Sequence, residues 1–450
     1  MKEYRYRTFG LHNYKKIPQI NEYLTEEQQF EIDVVGNVLP FKANNYVVDE
    51  LIDWDNVPDD PIFTLTFPQK DMLSAAHFDK MAAALRQDLS KPERKEIANE
   101  IRLELNPHPA GQMEYNVPSI EGVKLTGIQH KYRETMLFFP NHGQTCHAYC
   151  TFCFRWPQFV GMDELKFAMR ETELLVKYVD RHPEITDILF TGGDPLIMSS
   201  KRLESYLLPL IDGQVGNLQT IRLGTKSLGY WPYRFINDKD ADDTLRLFEK
   251  IVKAGKHLAF MAHFNHPAEM KTEAAKEAVR RIRNTGAEIR TQSPIMRNIN
   301  DDADTWATMW RDQVKHGMIP YYMFIARDTG AQHYFALPLE KIWHIFRDAY
   351  QQVSGVARTV RGPSMSAEPG KVQMLGVSEV KGEKVMTLRF LQGRNPDWVH
   401  KPFFAKYNPD AIWLDDLEPA FGEEQFFFEE QYDQFKNRKA KAATASLEPA

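Results

Sequence analysis

The chain has 450 residues, 43% of them hydrophobic and 26% charged, enough to bury the core of one large domain with a smaller part appended. Its 56 Lys and Arg against 62 Asp and Glu leave a formal charge of −6, which argues against a general nucleic-acid binder. No apolar run is long enough to span a bilayer, and Met1-Lys2-Glu3-Tyr4-Arg5 is too polar to open a signal peptide, so a cytoplasmic protein without membrane or nucleic-acid partners is expected.

Residues 1–115 read as an irregular, partly helical segment whose aromatic and branched stretch, 39–54, ends in the turn Val57-Pro58-Asp59-Asp60-Pro61 and is expected to cap the main domain. Residues 116–355 hold a repeated unit of apolar run, polar loop and amphipathic helix. The runs are 135–139, 186–190, 220–223, 258–262, 288–291 and 320–324. This alternation predicts an α/β fold of parallel strands with crossover helices, and six units make a partial version of the eightfold parallel barrel. The first helix is expected from Asp163 as N-cap, with Leu165, Ala168, Met169, Thr172, Leu175, Val176 and Val179 on one face. Residues 356–428 read as a C-terminal extension, and 429–450, which include Lys436-Asn437-Arg438-Lys439-Ala440-Lys441, as a frayed polar tail.

Barrels of this kind put their chemistry in the loops after the strands. The cysteines follow the first run, Gly192-Gly193-Asp194 the second and Gly224-Thr225-Lys226 the third. His263-Phe264-Asn265-His266 follows the fourth, Gln292-Ser293 the fifth and Arg327-Asp328 the sixth, so one rim should carry one cavity.

Cys146, Cys150 and Cys153 are the only cysteines. Thiolates at this spacing can wrap one side of an iron–sulfur cube, since soft sulfur suits iron and a short loop turns all three side chains inward. Three ligands leave one iron open to chelate S-adenosylmethionine, whose sulfonium can then accept an electron and yield a deoxyadenosyl radical. Two other readings stand beside this one. The cysteines can hold a structural zinc with His142 or His147, as in a regulatory protein, or remain buried thiols.

These stretches resemble the radical S-adenosylmethionine, pyridoxal-phosphate-dependent amino acid 2,3-aminomutases typified by lysine 2,3-aminomutase. The resemblance runs from about Gln129 to about Gly376 and rests on several motifs. They are His130-Lys131-Tyr132, Cys153-Phe154-Arg155, Thr191-Gly192-Gly193-Asp194-Pro195-Leu196, His263-Phe264-Asn265-His266-Pro267, Gln292-Ser293, Asn300-Asp301, Pro320-Tyr321-Tyr322 and Pro369-Gly370-Lys371. It implies a partial barrel and a 4Fe–4S cluster on Cys146, Cys150 and Cys153. S-adenosylmethionine would be held by Gly192, Gly193, Asp194, His263 and Gln292. Pyridoxal 5′-phosphate would form a Schiff base with Lys371, near Lys131, Tyr132 and Arg133, and would carry the amino group from C2 to C3 of an amino acid through an aldimine, making the protein an isomerase. A flavodoxin- or ferredoxin-like reductant is implied. A homo-oligomer is compatible with the family, although the cysteines that lysine-specific members use for an intersubunit zinc are absent.

Arg155 matches the family arginine that grips the substrate α-carboxylate, which a planar guanidinium fits bidentately. Lysine-specific members place two aspartates around the ε-ammonium. Aligned from Pro320, the first falls on Arg327 and the second near residues 364–366, where there is no acid; a one-residue slip would bring Asp328 in instead. A cation there repels lysine and attracts a carboxylate, so an acidic substrate such as glutamate is expected. A rearranged lysine pocket, or a radical relative outside the aminomutases, is the alternative. The family's phosphate-contacting arginine aligns with Thr135, leaving Lys131 or Arg133 for that anion.

Overall fold

A helix that follows a strand must cross the sheet before the next strand can pair, and this forces neighbouring strands to run parallel. In the computed structural model, which describes residues 4–212 and 215–445, eleven strands form one sheet. They are β1 (Ile128–Tyr132), β2 (Thr135–Phe138), β3 (Asp187–Phe190), β4 (Thr220–Thr225), β5 (His257–His263), β6 (Glu288–Ile295), β7 (Ile319–Ile325), β8 (Arg361–Ser366), β9 (Gly370–Val380), β10 (Glu383–Gly393) and β11 (Pro402–Lys406). They stand in sequence order. β2 to β8 are parallel, whereas β1, β9, β10 and β11 pair antiparallel. Among the described residues β1 and β11 remain as the two edges, so the sheet is a partial, TIM-like barrel.

Period-two alternation sets the two faces. Met136, Ile188, Ile221 and Leu258 pair side by side and are buried under the helices, while Thr135, Leu137, Asp187, Leu189 and Arg222 turn to the inside of the barrel. The longer helices of the N-terminal segment are α1 (Glu26–Val38), α2 (Ala75–Arg86) and α3 (Lys91–Glu104). The crossovers are α4 (Thr172–Asp180), α5 (Ser200–Leu207), α6 (Ala241–Lys253), α7 (Glu273–Asn284), α8 (Ala303–Lys315) and α9 (Leu339–Gln351).

Three expectations need correction. The parallel run has a seventh strand, β8, in the stretch assigned to the extension. Arg361-Gly362-Pro363-Ser364-Met365-Ser366 has neither an apolar run nor strong strand propensity; it is drawn in because Gly362 lets its backbone approach β7, where a Cβ would meet the Met323 carbonyl at 2.5 Å. The first crossover helix begins at Thr172, not at Asp163. Asp163 opens a short turn and binds Lys166, and Met169 is held extended between the backbone of Phe139 and that of Asn141. Finally, residues Glu429–Ala445 are a helix, α10, not a frayed tail. Tyr432 and Phe435, one turn apart, pack on the core beside Phe426 and Phe428. Residues 446–450 lie outside the described residues.

The N-terminal segment shares a hydrophobic cluster with the barrel rim, where Tyr46, Phe63 and Phe67 join Trp156, Trp231 and Phe335. Polar bonds tie it to the cysteine loop. Tyr6 Oη and Asn44 Nδ2 donate to the His147 carbonyl at 2.7 and 3.1 Å, and Lys42 Nζ donates to the Cys146 carbonyl at 2.6 Å. Among the described residues no helix is long and apolar enough to cross a membrane.

Asn44 is fully buried; its amide also donates to the Tyr230 carbonyl at 2.9 Å, and its oxygen accepts from Val47 N–H. Removing it strands several buried backbone groups. Asn44→Ala is expected to cost about 1–3 kcal/mol, read as a lowered thermal midpoint and faster proteolysis of the cysteine loop.

Candidate active site

The six loops meet as the parallel topology requires. A cavity of about 380 Å³ is lined from the first loop by the three cysteines, from the second by Gly192, Gly193 and Asp194, and from the third by Lys226. His263, Gln292 and Arg327 come from the next three, and Lys131, Tyr132, Arg155 and Lys371 complete the set. Arg133 is the exception: it sits exposed in the turn between β1 and β2 and lines no part of the cavity.

Cys146, Cys150 and Cys153 face the cavity as free thiols. Burial pushes Cys150 up to about 12 and Cys153 up to about 11, and it also raises Cys146 well above the usual thiol range, helped by the charges of Asp194 and of the other two sulfurs. Three converging thiols held protonated need a cationic partner to ionise, and iron supplies one. Among the described residues no three His, Cys, Asp or Glu side chains are grouped around one ion position. A cube takes one thiolate per iron and does not require sulfurs packed around a single ion.

The paired glycines answer a packing constraint of their own. A Cβ on Gly193 would meet the Thr145 backbone at 2.4 Å, and one on Gly192, at φ +136°, would meet Gln144 Nε2 at 2.3 Å. Their close approach is thus to the cysteine loop. Asp194 is spent within the protein: its carboxylate accepts from Leu196 N–H, Thr225 Oγ1, Lys226 N–H and Ser227 Oγ at 2.8–3.0 Å. Deeper in the rim, His263 Nε2 and Gln292 Nε2 are 2.6 Å apart. Burial and the Lys226 charge bring His263 down to about 3, so its neutral ring accepts from the amide. Lys226 itself is locked onto buried Glu269 and onto Asn265 Oδ1.

Two arginines hold unused donors. Arg155 is 6% exposed and lies over the Phe139 ring at 4.1 Å; the only protein hydrogen bond of its guanidinium among the described residues is a long one of 3.4 Å to Gln112, and Nε and Nη2 have no partner. Burial, together with the nearby charge of Arg327, brings it down to about 9. Arg327 lies over Phe154 at 5.1 Å with Nε unpartnered, and burial lowers it too. Asp328 is not among the residues that line the cavity: its carbonyl and Oδ2 accept from Asn106, while its Oδ1 is buried without a partner and its charge acts on Arg327.

Lys371 is the second residue of β9, opposite Ser366 of β8 and Gln392 of β10. Gly370 before it is required, since a Cβ would meet the Gln392 carbonyl at 2.4 Å. The ammonium lies 4.1 Å from the Tyr322 centroid and 5.3 Å from that of Phe324. Burial, with Arg222 and Arg361 nearby, brings it down to about 7. A near-neutral amine beside an aromatic wall suits an aldehyde cofactor.

No family model matches the chain. It is 32% identical over 396 residues to "Putative L-lysine 2,3-aminomutase" of Aquifex aeolicus, a match spanning 88% of this chain and 92% of that relative. The chain belongs to the radical S-adenosylmethionine lysine 2,3-aminomutase family. It is 25% identical over 248 residues to the L-lysine 2,3-aminomutase of Escherichia coli, covering 55% and 68% of the two chains. Membership makes it an isomerase that works with a 4Fe–4S cluster, S-adenosylmethionine and pyridoxal phosphate on an amino acid.

Within this aminomutase framework, two contributors escaped the sequence reading. Arg222 points inward from β4 and is held by Asp187 through two hydrogen bonds of 2.8 and 2.5 Å. An acid and a base at inward positions of adjacent strands were a usable signal. Arg361, on β8, had none, because β8 was not legible as a strand.

The pH response of Lys371 follows from its environment. Below about pH 7 the amine is protonated and unreactive; above it the amine is free. Formation of the pyridoxal phosphate Schiff base is expected to rise through a midpoint near 7, with other lysines responding only at higher pH, and to be lost in Lys371→Arg, as followed by absorbance.

Proposed function

We propose that the protein is an amino acid 2,3-aminomutase whose substrate is an acidic amino acid such as glutamate. The observation that carries this is the charge of the cavity. Its lining includes seven lysines and arginines but only two carboxylates, Asp187 and Asp194. Both are already paired, Asp187 with Arg222 and Asp194 with backbone and hydroxyl donors. A lysine ammonium would enter a buried site with no free anion to meet it, a costly burial. A dicarboxylate offers one anion to Arg155 and one to Arg327, whose unpartnered nitrogens then gain charge-assisted bonds.

In this reading Cys146, Cys150 and Cys153 hold the cluster, and Gly192, Gly193, His263 and Gln292 line the S-adenosylmethionine subsite, with Asp194 fixing the loops around it. Lys371 is the amine that would hold pyridoxal phosphate. When bound, these groups supply the radical that takes hydrogen from the β-carbon and the carrier that moves nitrogen from C2 to C3. Arg155 orients the α-carboxylate and Arg327 the distal one, which aims the β-carbon at the radical source. The N-terminal segment, bonded to the cysteine loop, keeps water from that side. All three cysteines sit in that one loop, so the chain has no ligands for a second cluster and takes electrons from an external flavodoxin- or ferredoxin-like donor in the cytoplasm.

Anaerobic protein reconstituted with iron, sulfide, S-adenosylmethionine, reductant and pyridoxal phosphate is expected to convert glutamate to β-glutamate, read by mass spectrometry after chiral derivatisation. β-Lysine from lysine as the main product would overturn the acidic reading. Deoxyadenosine without any β-amino acid would overturn the aminomutase itself. Arg327→Asp should lower kcat/KM for glutamate by roughly a hundredfold, the loss of a buried charged hydrogen bond plus repulsion; unchanged selectivity would remove Arg327 from the pocket.

A further inference from the structure

We propose that Arg361 anchors the phosphate of pyridoxal phosphate, a role that Lys131 and Arg133 were expected to fill. This rests on the assignment of Lys371 as the lysine that binds the cofactor. Pyridoxal phosphate is a short, rigid ligand with an aldehyde at one side and a phosphate dianion at the other. Once its aldehyde is on a lysine, its phosphate lies within one ring's reach and needs a cation not already neutralised.

The cations around Lys371 differ in that respect. Arg222 is doubly bound to Asp187. Lys131 donates one N–H to the Ala367 carbonyl at 2.5 Å, and burial together with the charges of Arg394, Arg327 and Lys371 disfavours its ammonium form. Arg133 is outside the cavity. Arg361 lines the cavity, and no hydrogen bond or ion pair engages its guanidinium among the described residues. It lies against two aromatic rings, its Cζ 4.2 Å from the Tyr321 centroid and 4.6 Å from that of Tyr322. Lys371 Nζ is 4.1 Å from the centroid of that same Tyr322 ring. These ring contacts position the guanidinium without using its N–H groups, the state suited to a phosphate fork.

Two consequences follow from one cation in this place. Arg361 lies close to the Lys371 amine, where its charge disfavours a second cation and helps keep the amine nucleophilic. Bound phosphate would then neutralise that charge.

The test compares pyridoxal phosphate with pyridoxal, which has the aldehyde and lacks the phosphate. Cluster-loaded protein freed of pyridoxal phosphate is titrated with each ligand, and the lysine linkage is read by absorbance. With both titrations run at about pH 9, where the Lys371 amine is free with or without Arg361, Arg361→Gln should weaken pyridoxal phosphate about 10- to 100-fold, the worth of a charged hydrogen bond, and leave pyridoxal within about twofold. Arg361→Lys should fall between, keeping charge without the fork. Retained pyridoxal binding shows in the same experiment that the variant is folded. Unchanged pyridoxal phosphate affinity in Arg361→Gln, or an equal loss for both ligands, would overturn the proposal. So would a phosphate-specific loss found in Lys131→Gln and not in Arg361→Gln. Absence of any linkage in the unmutated protein would instead overturn the Lys371 assignment beneath it.

Discussion

The carboxylate and backbone of Asp194 hold three loops of the rim in one arrangement. Its N–H donates to the carbonyls of Gly143 and Thr145 in the cysteine loop, and its side chain accepts from Thr225, Lys226 and Ser227 of the third loop. Ser227 Oγ then reaches His147, between two of the cysteines. A charged acceptor buried among several donors is worth more than the sum of isolated bonds, because the low dielectric strengthens each one. Gly192 and Gly193 serve the same closure by letting the second loop lie directly on Gln144 and Thr145. The cysteine side chains are thus aimed by protein contacts that do not depend on the metal.

The cavity beneath that rim is built as an excess of positive charge. Arginines with unpartnered nitrogens stand in a low-dielectric space, a state that costs stability until anions arrive. The cluster of a radical enzyme, a phosphate and the carboxylates of an amino acid all carry negative charge into one small volume. Aromatic faces make the excess tolerable: Phe139 and Phe154 receive Arg155 and Arg327, and Tyr321 and Tyr322 receive Arg361. The same rings position the guanidinium groups, so the site is arranged before its ligands bind.

Six parallel strands and the loops behind them could be read along the chain, since each buried strand is a short run of apolar side chains with a helix periodicity after it. β8 could not, because it is held by backbone approach at Gly362 and by pairing with β7 and β9, and its side chains carry no pattern. The helix at α10 was obscured for a related reason. Two aromatic residues, Tyr432 and Phe435, secure it from within a charged stretch, and they count only once a core is present to receive them.

The sequence alone determined the chemistry: three cysteines at cluster spacing, a Gly-Gly-Asp turn one unit later, and an arginine and a lysine at positions matching an aminomutase, all local features of a few residues each. Only the tertiary structure decided which charged groups are free. Arg133 and Asp328 line no part of the cavity, Lys131 and Arg222 are engaged, and Arg155, Arg327 and Arg361 keep donors in hand. Whether a side chain is spent depends on partners brought from distant strands, as Arg222 is by Asp187, and that pairing is set by sheet register and packing across the barrel.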